Sequence, residues 1–189
     1  MRVTGILLAA GFARRFGANK LVATLGDGTP VVVATARRLA AAVDDTLAVV
    51  PGTAGAVEAL LHAEGIAVAR CAAAADGMGH SLACGVRAAA ASDAWLVMLG
   101  DMPFVAPATL ARLVATLRAG AAIVVPSHAG ADGHPVGFAA RFAAELADLD
   151  GDRGARALLT RHAALVQRVD VTDPGIHRDI DVPADLDGS

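Results

Sequence analysis

The sequence predicts a three-layer α/β/α fold built on a doubly wound, mostly parallel sheet. Three observations carry that prediction. Short apolar runs alternate with longer Ala-rich stretches; several runs, such as Leu96-Val97-Met98-Leu99 and Ile123-Val124-Val125, are continuously apolar rather than alternating; and Gly and Pro mark the joints. A continuously apolar strand is buried on both faces, so helices must lie above and below the sheet. Strand–helix alternation then gives β-α-β units with parallel strands.

Each element follows from its pattern and its punctuation. A strand over 3–10 ends in small residues at Ala10-Gly11, and the turn Gly26-Asp27-Gly28-Thr29-Pro30 opens a helix over 30–42. A strand over 45–50 is closed by Pro51-Gly52 and followed by a helix over 54–64 and a strand over 66–70. Gly77 and Gly79 precede a helix over 80–91, with Ser81 near its start read as the N-cap. A strand over 94–99 leads through Pro103 to a helix over 107–119, and Gly130 to Pro135 separates strands over 121–126 and 133–138. Helices over 139–147 and 153–162, the second with Asp152 as N-cap, precede a last strand over 165–170. No internal repeat, low-complexity linker or composition break divides the chain, so residues 1–189 read as one domain.

The composition excludes several classes of function. Aromatic residues make up 3% of the chain, too few for stacking platforms that hold single-stranded nucleic acid, and a net charge of −3 disfavours a general nucleic-acid binder. Attraction for phosphate must therefore be local. Cys71 and Cys84 form no C-x-x-C pair and read as separate, buried or half-buried thiols of a reducing cytoplasm. No run approaches the ~20 apolar residues needed to span a bilayer, and the first apolar run is short and followed by Arg14-Arg15. A cytoplasmic protein without membrane partners is expected.

The first strand delivers Leu7-Leu8-Ala9-Ala10-Gly11 directly into Arg14-Arg15-Phe16-Gly17-Ala18-Asn19-Lys20. A strand end that offers backbone amides and fixed positive charge at one point suits a polyanion, most simply a nucleoside triphosphate. The spacing is neither the G-x4-G-K-[ST] phosphate loop nor the G-x-G-x-x-G dinucleotide fingerprint. It resembles the signature loop L-A-[AG]-G-x-S-x-R-M-G-x-x-K of the MobA-like nucleotidyltransferases. Gly11, Arg15, Gly17 and Lys20 match that pattern, while Ala13 replaces Ser and Phe16 replaces Met. Leu8-Ala9-Ala10-Gly11 is similar to the molybdenum-cofactor cytidylyltransferase branch, which has Ala where the guanylyltransferase branch has a second Gly.

Five further segments fall where strands end. Asp101, in Leu99-Gly100-Asp101-Met102-Pro103, is a carboxylate placed to hold a hard cation, or alternatively a cap for the helix near Pro107. This segment resembles the family's G-D-[MQ]-P motif, whose Asp binds magnesium. Asp179-Ile180-Asp181-Val182-Pro183-Ala184-Asp185-Leu186 resembles D-[IV]-[DN]-[TS]-P-E-[DE]-L, which makes Asp181 the second metal position with Asp179 as the other choice. Asp76-Gly77-Met78-Gly79-His80-Ser81-Leu82 resembles the segment that lines the base and ribose pocket, with His80 an exposed loop histidine. Gly133-His134-Pro135-Val136-Gly137-Phe138 and Gly151-Asp152-Arg153-Gly154-Ala155-Arg156 resemble acceptor-side elements. They offer His134, and Arg153 and Arg156 one helical turn apart.

The resemblance implies a Rossmann-like nucleotidyltransferase fold and Mg2+-dependent transfer of a nucleotidyl group, CMP from CTP, to the terminal phosphate of a molybdopterin-type acceptor. A molybdenum hydroxylase is the implied user of the product. By the same carry-over Arg15, Lys20 and Asp101 are catalytic, and Leu8, Ala9, Ala10, Gly11, Arg15, Gly17, Lys20, Gly77, Met78 and Ser81 bind the nucleotide. His134, Arg153 and Arg156 bind the acceptor, and Asp101 and Asp181 bind the metal. Two rival readings are an NAD(P)H-dependent oxidoreductase acting on a heteroaromatic compound and a non-catalytic molybdenum-cofactor carrier. A sugar-phosphate nucleotidyltransferase is a nearer alternative for which this chain is short. No G-x-S-x-G or H-E-x-x-H is present, so covalent catalysis has no visible nucleophile.

Overall fold

Every residue of β1 (Val3–Leu8) is buried, and its side chains divide by parity. Val3 and Leu7 join a core with α1 (Val31–Ala40), α2 (Ala56–Ala63) and α4 (Pro107–Arg118). Ile6 and Leu8 join a second core with α3 (Met78–Ala88), α5 (Ala143–Ala147) and α6 (Arg156–Arg161). The strand β4 (Ala94–Leu99) does the same, sending Leu96 and Met98 one way and Trp95 and Val97 the other. Two cores on opposite faces of one sheet make the three layers, which is why these strands carry no polar alternation. The computed structural model describes residues 1–10, 19–53, 55–151 and 154–187.

The sheet has eight strands in the order β3-β2-β1-β4-β7-β5, with β8 and β6 also paired to β5. The remaining ranges are β2 (Asp45–Pro51), β3 (Ala67–Cys71), β5 (Ile123–His128), β6 (Ala131–Asp132), β7 (Val136–Ala139) and β8 (Val166–Asp170). Pairs among β1, β2, β3 and β4 and between β5 and β8 are parallel, whereas β7 runs antiparallel to both β4 and β5. The sequence places a strand over 133–138; the observed one is shorter, shifted and reversed. The link from β5 to β7 is too short for a parallel crossover, so the chain can only double back.

Helix boundaries moved most where tertiary contacts decide them. The helix α3 begins at Met78 with Gly77 at its N-cap and no side-chain cap, so Ser81 lies buried inside the helix and is not its cap. The helix rests directly on β1: a Cβ at Gly85 would stand 2.7 Å from Ile6 Cγ2. In α4, Pro107 occupies the first turn, where its missing N–H costs nothing. Its cap comes from far along the chain: Asp173 Oδ2 accepts from Ala106 N (2.8 Å) and Thr109 Oγ1 (2.7 Å). Asp101 is therefore not the cap of α4. A 3-10 turn over Ala140–Phe142 leads into α5, and α6 starts at Arg156 after Ala155. Asp152 and Arg153 lie outside the described residues.

Cys71 and Cys84 are bonded, with Cα atoms 6.0 Å apart, which corrects the expectation of separate thiols. Their spacing fits no pairing motif; proximity arises because α3 folds back over the end of β3 and presents Cys84 to it. Closing a loop across 13 residues stabilises the fold by about 3 kcal/mol, chiefly by restricting the unfolded chain. Reduction, or Cys84→Ser, is therefore expected to lower the melting temperature by about 6–12 °C, measured by calorimetry with and without dithiothreitol. An unchanged melting temperature would show that the bond contributes nothing in solution. Among the described residues no helix is long and apolar enough to cross a membrane.

Candidate active site

In an open parallel sheet the ligand crevice forms beyond the carboxyl ends of the strands, where successive connections leave in opposite directions. Here the chain runs from β1 outward through β2 to β3, then returns to β4 on the other side of β1. The switch point is therefore the β1/β4 pair. The register sets Leu8 beside Leu99, so Ala9-Ala10 and Gly100-Asp101 leave the sheet side by side. Gly100 N donates to Leu8 O, and Ala9 N donates to Val49 O, both at 2.9 Å, which fixes the exit of β1 against its two neighbours. Leu8, Ala9 and Ala10 are all buried.

Two other segments bring charge to this point. Asn19 Oδ1 accepts from Leu21 N (3.1 Å) and starts a 3-10 turn, Lys20–Val22, anchored by buried Leu21. Near the C-terminus, Ile180 is fully buried and its N–H donates to Asp101 O (2.9 Å). Asp185 Oδ2 accepts from both Asp181 N and Val182 N at 2.8 Å, holding the segment at the start of another 3-10 turn. As a result Lys20 Nζ lies 2.7 Å from Asp101 Oδ2 and 3.1 Å from Asp181 Oδ1. Among the described residues Asp101 Oδ1 is buried with no hydrogen-bond partner.

The electrostatics of this group are tightly balanced. Partial burial is the largest influence on Lys20 and works against its charge, but hydrogen bonds and attraction from Asp101 and then Asp181 prevail and hold the ammonium above its ordinary value. Asp179 is held above the usual carboxylate range, first by partial desolvation and then by the charges of Asp181 and Asp101. Three carboxylates crowd one another here. His134 moves the other way: burial lowers it below the ordinary histidine value, although Asp101 and Asp179 pull it upward. The ring is therefore neutral at pH 7, and its Nδ1 is buried without a partner.

A cleft of ≈ 660 Å3 opens beside this cluster. Its floor is apolar, from Leu8, Val97, Leu99, Val125, Val136 and Phe138, with Met78 and Leu82 of α3 as one wall. His134, Arg156, Thr160, Arg168 and the carboxylate Asp132 supply its polar groups. Arg168 is held by Asp132 through two bonds of 2.8 and 3.0 Å. The amide of His134 donates to Ile176 O (3.0 Å), and Ile176 belongs to the turn that Asp173 anchors through Gly175 N (2.9 Å).

Folding thus brings Lys20, Asp101 and Asp181 into one cluster and puts Leu8, Met78, His134 and Arg156 on one cleft. Gly77 and Ser81 do not line it. Gly11, Arg15 and Gly17, with the departures Ala13 and Phe16, lie outside the described residues, as does Arg153. His80 is half-buried on α3 rather than an exposed loop residue, and its Nδ1 accepts from Gly151 N (3.2 Å). Sequence reasoning missed Asp173, Asp132 and Arg168, and named Asp185 only within its motif. Asp185 alone had a signal, because a carboxylate two residues after Pro183 suits the position that reaches back to a helix start.

A family model described as "MobA-like NTP transferase domain" matches residues 5–166. The chain belongs to the MobA-like NTP transferase family. Its class of activity is nucleotidyl transfer. This MobA-like chain is 32% identical over 193 residues to the purine catabolism protein PucB of Bacillus subtilis (strain 168), covering 97% of this chain and 93% of that one. It is similar to the crystal structure of Rv0371c from Mycobacterium tuberculosis, with 31% identity, a TM-score of 0.79, and coverage of 100% and 98% of the two chains. Rv0371c also has a structure in complex with manganese. A nucleotidyl transferase from Methanothermobacter (Mth528) is similar at 26% identity and a TM-score of 0.82, covering 97% and 94% of the two chains.

Proposed function

We propose that this MobA-like enzyme transfers CMP from CTP to the terminal phosphate of a molybdopterin-type acceptor and releases pyrophosphate. The observation that carries the reading is the Lys20–Asp101–Asp181 cluster at the β1/β4 switch point, beside an apolar cleft that Leu8 and Leu99 line and whose polar groups include His134, Arg156, Arg168 and Asp132. CTP is favoured by Ala10, which matches the cytidylyltransferase branch of the loop. The role of PucB in purine catabolism is consistent with a product used by a molybdenum hydroxylase.

The residues fit a divalent metal. Among the described residues Asp101 Oδ1 is a buried carboxylate oxygen with no partner, and such an atom is costly unless something else satisfies it. Among the described residues no group of three or more His, Cys, Asp or Glu forms a cage. Mg2+ suits such a site, since it is commonly held by one or two carboxylates together with substrate phosphates. Asp101 and Asp181 would hold it, and the manganese complex of Rv0371c supports a divalent ion in this family. When bound, the ion would stabilise charge on the reacting phosphate as a Lewis acid.

The protein's own part is positioning and charge neutralisation. The loop from Ala10 to Gly17, with Arg15 and Lys20, takes the β- and γ-phosphates. Gly77 and Met78 at the start of α3 stand on the base side. Neutral His134 offers a hydrogen bond to the acceptor, and Arg153 and Arg156 balance its phosphate. An acceptor phosphate oxygen attacks the α-phosphorus in line, the bond to the bridging β-phosphate oxygen breaks, and pyrophosphate leaves. The test is pyrophosphate release with each of the four NTPs, with and without molybdenum cofactor. Turnover with CTP that requires the cofactor is expected. Failure of every NTP, with Asp101→Ala binding CTP and Mg2+ as the unaltered enzyme does, would sink the reading.

A further inference from the structure

We infer that the Lys20 ammonium is a placeholder for the divalent cation, so that metal enters the Asp101–Asp181 pair by displacing Lys20, a step the nucleotide's phosphates favour by drawing the ammonium away. The inference rests on the reading of Asp101 and Asp181 as metal ligands. One ammonium addresses one oxygen from each carboxylate, at 2.7 and 3.1 Å, and so already bridges the pair that a shared cation would bridge. The Lys20 and Asp101 side chains are each only 15% exposed. Asp181 is 53% exposed, so the site is open to solvent on its side, but on the Asp101 side an ammonium and a divalent ion sharing one carboxylate repel each other with reduced screening.

The ammonium is the member that can move. Asp101 is held through its carbonyl by Ile180 N, and Asp181 through its amide by Asp185. Lys20 reaches the site on a flexible four-carbon stem from a 3-10 turn of three residues anchored at Leu21. Asp101 Oδ1 gives an incoming ion a first ligand without breaking any existing bond. A triphosphate then offers Lys20 oxygens of higher charge than the carboxylates it leaves. Metal and nucleotide binding become positively coupled, because each removes a cost that the other would meet alone. Before substrate arrives, the ammonium keeps the two carboxylates from being left facing each other without a cation.

The experiment uses Mn2+ alone as probe, with free ion counted by electron paramagnetic resonance, on the unaltered protein, Lys20→Met, Asp101→Asn and the double variant. Lys20→Met is expected to bind one Mn2+ at least about tenfold more tightly than the unaltered protein, the scale of one removed charge at this range. Asp101→Asn is expected to abolish that gain. Asp101-dependent binding that is equal or weaker in Lys20→Met overturns the placeholder while leaving the metal site standing. No Asp101-dependent binding in any of the four proteins removes the metal reading and the placeholder together. A second measurement needs no variant: acetylation of Lys20 by acetic anhydride, read by peptide mass spectrometry, is expected to be slow without metal and several-fold faster at saturating Mn2+. An unchanged rate at saturation overturns the placeholder.

Discussion

Asp101→Asn is expected to reduce pyrophosphate release from CTP by about a hundredfold to a thousandfold, the scale on which a single preorganised electrostatic contact acts. The substitution keeps the shape of the side chain, and the backbone carbonyl that accepts from Ile180 N is untouched. Lys20 loses its nearer carboxylate, 2.7 Å away, and keeps only Asp181, so the melting temperature is expected to fall by a few degrees. Removing one charge also relieves the crowding that holds Asp179 above the usual carboxylate range, so Asp179 should titrate lower in the variant. Steady-state kinetics, calorimetry and carboxyl titration by NMR check the three parts. Activity within about threefold of the unaltered enzyme would show that Asp101 stands outside the chemistry.

Gly79→Ala is expected to damage stability and acceptor binding together. A Cβ there would collide with Asp150 O and stand 2.8 Å from its carbonyl carbon and 2.9 Å from Gly151 O. All three are backbone atoms, so relief requires the whole segment to move. The same segment is tied to α3 by Gly79 N to Gly151 O (2.8 Å) and leads into Arg156 on the cleft. Overpacking of this kind costs about 1–3 kcal/mol, or roughly 2–12 °C in melting temperature. Displacing Arg156 is expected to raise KM for the acceptor about tenfold, and any shift of Gly77 and Met78 at the start of α3 raises KM for CTP as well. A variant with both values and its melting temperature unchanged would mean that this contact positions nothing.

Legibility in the sequence followed from how local the deciding physics was. The strands β1, β4 and β5 were readable because burial on both faces leaves an unbroken apolar run. Asp101 and Lys20 were readable because each follows a strand end or its loop in a spacing that few structures use. Ser81 misled because a Ser before an apolar run usually caps a helix; here the close seat of Gly79 against the 150–151 backbone lets α3 begin at Met78. The short β5–β7 link hid a reversal of direction inside what reads as one more strand. The roles of Asp173 and the bond between Cys71 and Cys84 had no local signal, since each partner is chosen by packing.

By itself the sequence determined the three layers, the family and the polar residues offered at the strand ends, because strand burial and helix amphipathicity are set by neighbours a few residues away. Only the tertiary structure decided that Lys20, Asp101 and Asp181 meet, across 161 residues of chain between the first and the last. Strand order places Asp101 beside the end of β1, and the bond from Ile180 to Asp101 O brings the C-terminal segment over it. A one-dimensional pattern can name the members of such a cluster. Their mutual distance depends on which strands are neighbours, and hydrogen-bond register and packing settle that.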